Sequence, residues 1–219
     1  MKKYQAILFD LDGTLIDTSG DVLAAFNTLM RRYELPEREW DDVVGLIAKG
    51  SRALVELGTR DQSLTIPAEQ LQKELIALRQ KHLVEHSKPF PGIPNLLNRL
   101  NQMQIKWGVV SNNHHNIIEK IMAHFKLKPG CQCVVGSDDV PHMKPAPDAL
   151  FKGCSIININ TDQCLYVGDF STDIEAANAA DMDSVVAGYG YIDPETNPKN
   201  WGANFIAHTV EHLENYIFQ

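Results

Sequence analysis

Five short and nearly continuous apolar runs punctuate the chain, at residues 6–9, 106–110, 133–135, 164–167 and 184–187. Runs of this length without alternation suit strands covered on both faces, and the stretches between them have helical character. Strand and helix in alternation predict an α/β fold, with a Rossmann-like parallel sheet core and helices on both sides. From about residue 19 to residue 85 the rhythm breaks, because helical patterns continue there without a convincing strand. Ser19 or Asp21 is placed to cap a helix carrying Val22, Phe26, Leu29 and Met30 on one face. Pro67 is placed to open another, bearing Leu71, Leu75, Leu78 and His82. The segment Lys88-Pro89-Phe90-Pro91-Gly92-Ile93-Pro94 resists both helix and central strand, and marks re-entry into the main domain. The expected organisation is a core of residues 1–17 and 87–219, interrupted by an inserted α-helical cap of residues 18–86.

Charge narrows the partners. With 28 Asp and Glu against 20 Lys and Arg, the formal net charge is −8, which disfavours phosphate backbones, so nucleic acid is not expected to bind. The basic start at Lys2 and Lys3 is leader-like, but Asp10 and Asp12 interrupt the apolar stretch too early. No apolar run reaches bilayer length, so a cytoplasmic protein without a membrane partner is expected, monomeric or homodimeric. Cys131, Cys133, Cys154 and Cys164 lack paired spacing and read as reduced structural thiols, with Cys131-Gln132-Cys133 a strand of alternating faces. His208 and His212 stand i, i+4 on an expected C-terminal helix, but no third ligand is near them and they read as solvated. His114 and His115 read as surface residues.

Three polar clusters directly follow expected strands: Asp10-Leu11-Asp12-Gly13-Thr14, Ser111-Asn112-Asn113, and Gly168-Asp169-Phe170-Ser171-Thr172-Asp173. In open parallel sheets, ligands bind beyond the carboxyl ends of the strands. Four carboxylates converging there, Asp10, Asp12, Asp169 and Asp173, repel one another unless a cation, a proton or both intervene. Oxygen ligands of this kind suit a hard divalent ion, Mg²⁺ above all. Taken singly, each residue has a plainer use. An Asp caps a helix or a turn, Asp173 suits the start of an Ala-rich helix, Ser111 suits the start of a helix over 116–125, and Lys144 suits solvent.

In order and together, these residues resemble the four motifs of the haloacid dehalogenase superfamily of phosphohydrolases, over nearly the whole chain. The motifs stand here as Asp10-Leu11-Asp12-Gly13-Thr14, Ser111, Lys144-Pro145, and Gly168-Asp169 with Asp173. The resemblance implies that Asp10 is a nucleophile forming an aspartyl-phosphate, and that Asp12 is the general acid and base. It implies a Mg²⁺ site made by the Asp10 carboxylate, the Asp12 main-chain carbonyl and Asp169, with Asp173 as a ligand or one step removed. The Ser111 hydroxyl, the amides of Asn112 and Gly13, and the Lys144 ammonium would then cradle the transferring oxygens. Two neighbouring carboxylates divide the work, one ionised and one carrying a proton.

The helical insertion resembles the superfamily's C1-type cap, which implies a small phosphorylated metabolite as substrate. Within it, Gly50-Ser51-Arg52 resembles the substrate-facing segment of phosphoglycolate phosphatase-like enzymes, with amides and a guanidinium suited to an anion. A solvated Arg is the plain alternative. The last third of the chain resembles a bacterial branch of that group acting on 2-phosphoglycolate or on a sugar phosphate, N-acetylmuramic acid 6-phosphate. Asn113, where many relatives carry Lys or Arg, and Ala146, where His is common, depart from the pattern and bear on substrate identity. The expected activity is a Mg²⁺-dependent phosphomonoesterase. A sugar phosphomutase would share nearly all of these motifs, a dehalogenase would lack the second acid that Asp12 supplies, and a non-catalytic regulatory module would retain the fold alone.

Overall fold

The computed structural model describes residues 4–47, 49–60, 62 and 66–219. In chain order, strands β1 (Ala6–Phe9) and β2 (Ile16–Asp17) precede four helices, α1 (Ser19–Arg32), α2 (Trp40–Ile47), α3 (Gly50–Thr59) and α4 (Ala68–Lys81). There follow β3 (Lys88–Pro89), α5 (Ile93–Gln102), β4 (Lys106–Val110), α6 (His115–His124), β5 (Cys131–Val135) and α7 (Asp148–Ile157). The chain closes with β6 (Cys164–Gly168), α8 (Ser171–Ala179), β7 (Asp183–Ala187), β8 (Phe205–Ala207) and α9 (Val210–Phe218). It divides into two compact units, residues 1–16 with 89–219, and residues 17–88.

The first unit is built on a six-stranded sheet in the order β5-β4-β1-β6-β7-β8, and all of its pairings are parallel. Ala6, Ile7, Leu8 and Phe9 of the central strand are wholly buried, as apolar cover on both faces requires. Ala6 and Leu8 join Leu150, Cys154 and Ile157 of α7 and Ala176 and Ala177 of α8 in one core cluster. The other four expected strands are present within a residue or two, and β8 is additional to the sheet. It is three residues long, Phe205-Ile206-Ala207, at the sheet edge and only partly buried, and an apolar run this short carries no period to set it apart.

Gly92, at φ +96°, precedes α5, and Pro94 occupies its first turn, where a missing N–H costs nothing. The expected helix start at Ser111 is not adopted: α6 begins at His115, with His114 in extended conformation at the cap position. His208 likewise lies outside the C-terminal helix. Thr209 caps α9 by accepting from the His212 amide at 3.1 Å, which sets the helix start beyond His208. All four cysteines are unpaired thiols, and Cys131-Gln132-Cys133 runs from partly buried to exposed to buried.

The second unit is helical. The apolar face of α1 buries Val22, Ala25, Phe26, Leu29 and Met30, and that of α4 buries Leu71, Leu75 and Leu78, with Pro67 at its cap. Neither Ser19 nor Asp21 caps α1, because the helix starts at Ser19 after Thr18. The Asp21 carboxylate, 2% exposed, accepts instead from the amides of Val84 at 2.9 Å and His86 at 2.6 Å and from the Ser87 hydroxyl. No helix among the described residues is long and apolar enough to cross a membrane.

Candidate active site

Register brings the polar clusters together. Phe9 on β1 stands opposite Val109 on β4 and Val167 on β6, so the residues that follow these strands emerge at one edge of the sheet. The Asp10 amide extends the ladder by donating to Val167 O at 2.8 Å, and the Ser111 amide does the same to Val135 O at 3.0 Å. Asp169 follows β6 directly, and Asp173 enters from the first turn of α8. Asp10, Asp169 and Asp173 are buried, and one carboxylate oxygen from each lies within 4.8 Å of the others.

Lys144, from the loop between β5 and α7, faces this cluster with a side chain 3% exposed. Its ammonium donates to Asp10 Oδ1 at 2.8 Å, Asp173 Oδ1 at 2.6 Å and the Tyr166 hydroxyl at 2.7 Å. Three such bonds match its three protons, with the Val110 carbonyl a longer contact at 3.3 Å. Tyr166 passes the interaction on by donating to Val110 O at 2.9 Å. Burial works against the Lys144 charge, but Asp10 and Asp173 outweigh it and hold its pKa well above the ordinary value. Burial pushes Asp10 up to about 7, the Lys144 ammonium pulls against that, and Asp173 and Asp12 add repulsion. Asp169 is also pushed well above the carboxylate range, by burial first and then by Asp10 and Asp173. One ammonium among three carboxylates leaves two negative charges uncompensated when all are ionised. That deficit and the all-oxygen donor set fit a hard divalent cation.

The surrounding residues fix this arrangement. Asp169 accepts from the Thr14 hydroxyl at 3.1 Å and the Tyr191 amide at 2.8 Å. Asp173 does two jobs, since its other oxygen accepts from the Phe170 amide at 3.0 Å and closes the first turn of α8. Gly13 sits at φ +79°, and a Cβ there would collide with the Asp169 carboxylate and the Tyr191 ring, so only glycine fits. Its amide donates to Ile16 O at 2.9 Å. That bond takes up the donor expected to face a phosphate, and leaves Gly13 a conformational part. Asn112 brackets the Lys144 backbone from both sides, donating to its carbonyl and accepting from its amide, each at 3.0 Å. The Ser111 hydroxyl accepts from the Asn113 amide at 3.3 Å.

Asp12 is half-buried and stands apart from the three clustered carboxylates; its Oδ2 accepts from the Asn113 side-chain amide. His115 Nδ1 is 2.6 Å from Asp139 Oδ2, and His114 is exposed beside Asp138. Gly50, Ser51 and Arg52 open α3 in the helical unit, where the exposed Arg52 guanidinium pairs with Glu56 at 2.9 Å. Sequence reading passed over Tyr166 and the Asp12 contact of Asn113. Tyr166 left one signal, a hydroxyl inside an otherwise apolar buried strand.

Residues 7–187 match the family model for haloacid dehalogenase-like hydrolases. The chain is 35% identical over 216 residues to N-acetylmuramic acid 6-phosphate phosphatase of Pseudomonas aeruginosa, covering 98% of this chain and 94% of that one. It is 32% identical to a phosphoglycolate phosphatase of Xanthomonas campestris pv. campestris, covering 97% and 96% of the two chains. A crystal structure described as a predicted phosphoglycolate phosphatase from Haemophilus somnus shares the fold, with a TM-score of 0.88 over 99% of both chains at 23% identity. The chain belongs to the haloacid dehalogenase-like hydrolase family. It is a hydrolase whose relatives at about one-third identity are named phosphatases.

Proposed function

We propose that the protein is a Mg²⁺-dependent phosphomonoesterase acting on a small phosphorylated metabolite, 2-phosphoglycolate or a sugar phosphate such as N-acetylmuramic acid 6-phosphate. The observation that carries this reading is the buried trio Asp10, Asp169 and Asp173 with Lys144 ion-paired to Asp10. Asp10, Asp169 and the Asp12 main-chain carbonyl, with Asp173 beside them, would hold the ion. When bound, it would supply positive charge that lets an anionic nucleophile meet an anionic phosphate. Asp10 attacks phosphorus and carries the phosphoryl group as an aspartyl-phosphate. Asp12 gives a proton to the departing oxygen and later takes one from the attacking water. Lys144 stays charged against the transferring oxygens, Asn112 holds the Lys144 backbone in place, and Ser111 offers its hydroxyl. Gly50, Ser51 and Arg52 supply specificity.

The test is phosphate release from a panel that includes 2-phosphoglycolate, N-acetylmuramic acid 6-phosphate and p-nitrophenyl phosphate, with and without Mg²⁺. One ester is expected to stand out in kcat/KM, with activity lost on chelation and abolished in a folded Asp10→Asn variant. Phosphate release that persists in Asp10→Asn removes Asp10 as nucleophile, and a folded, Mg²⁺-loaded protein inert on every ester removes the phosphatase reading.

A further inference from the structure

We infer that Asn113 is a positioning residue for the Asp12 carboxylate, fixing which of its two oxygens faces the departing group. This rests on the reading of Asp12 as general acid and base. The Asn113 side-chain amide donates to Asp12 Oδ2 across 101 positions of sequence. An amide N–H requires an acceptor, so Oδ2 is kept as the accepting oxygen and the transferable proton resides on Oδ1. An amide does this without adding charge to a site already rich in carboxylates.

The Asn113 side chain is itself aimed by a loop pinned through its backbone. The Asn113 amide donates to Ser111 Oγ at 3.3 Å, and its carbonyl accepts from the Ser137 amide at 2.8 Å. Two residues on, the His115 amide donates to Asp138 Oδ1 at 2.7 Å. Gly136 passes so close to the backbone of Asn113 and His115 that a Cβ has no room there. None of these contacts uses the Asn113 side chain. Truncating it therefore leaves the loop in place and removes only the hold on Asp12.

Leaving-group chemistry reads this directly. Expelling an alkoxide needs a well-placed proton, whereas p-nitrophenolate leaves as a stable anion. The ratio kcat/KM reports the step that transfers phosphoryl to the enzyme and expels the leaving group, free of the later water attack. In Asn113→Ala, kcat/KM should fall at least about tenfold for whichever of 2-phosphoglycolate and N-acetylmuramic acid 6-phosphate the wild type prefers. For p-nitrophenyl phosphate the fall should stay under about threefold, since only the proton-transfer contribution is touched. The melting temperature should not move. Asn113→Asp keeps the shape but not the donor, and should show the same selective loss, so it reads the outcome if Asn113→Ala does not fold. Equal loss on both esters, a greater loss on the aryl ester, or no loss at all would overturn the inference. A wild type inert on every ester would instead overturn the phosphatase reading.

Discussion

Lys144 holds together charges that would otherwise drive one another apart. Its ammonium is wholly enclosed and bonded to two carboxylates and a tyrosine hydroxyl. Removing one partner of a buried ion pair leaves the other uncompensated, at a cost of about 3–5 kcal/mol. Lys144→Met should therefore lose about that much unfolding free energy in urea titrations at neutral pH. A loss below about 1 kcal/mol, the range of surface pairs, would show that the cluster does not depend on this cation. Asp10, Lys144, Asp169 and Asp173, which the structure brings together, were legible in the sequence because they stand at motif positions directly after apolar runs or in fixed order between them, whereas Asp12, expected to converge with them, stands apart from the trio. Tyr166 and Asn113 were not legible. Their parts depend on pairings through space, Asn113 with Asp12 across 101 positions, and local pattern encodes no such distance.

At the scale of elements, the helical unit contains its own buried polar junction. Asp21, in the first turn of α1, receives the amides of Val84 and His86 and the hydroxyl of Ser87. Val84 sits at φ +64°, a conformation that a β-branched side chain rarely takes. The Asp21 bonds offset that strain. Asp21→Ala should leave two amides without partners, cost the helical unit about 1–3 kcal/mol per group, and speed hydrogen exchange at Val84 and His86 before other amides of the unit. Unchanged exchange at those two positions would take Asp21 out of this role. Periodicity finds α1 and α4 through their apolar faces, but it offers Asp21, with Ser19, as a helix cap. A carboxylate near a helix start looks the same whether it serves its own helix or a segment more than sixty residues away. The short β8 escaped notice for the opposite reason, since its three apolar residues, partly buried at the sheet edge, are too few to show a period.

For the whole molecule, the same carboxylates link stability to pH and, on the proposed function, to Mg²⁺. Asp10 rises to about 7 and Asp169 rises too, so without a cation the folded protein holds protons that the unfolded chain releases near pH 4. The Asp10 contribution is fully present below about pH 4 and is lost as the pH climbs through about 7, and the Asp169 contribution is lost in the same direction as pH rises. Mg²⁺ favours the ionised carboxylates and should reverse that loss. The rise in melting temperature on adding Mg²⁺ should be larger at pH 8 than at pH 5, by differential scanning fluorimetry. Equal rises at both would separate the ion from these groups.

The chain leaves the core unit after Ile16 and returns at Pro89. Within that unit Phe90 N donates to Leu15 O at 3.1 Å, so the points of departure and return are stitched side by side. No strand of the six-stranded sheet lies between them in sequence. The excursion is a loop closed at its stem, and its length and content can drift without re-registering a strand or displacing Asp10, Lys144 or Asp169.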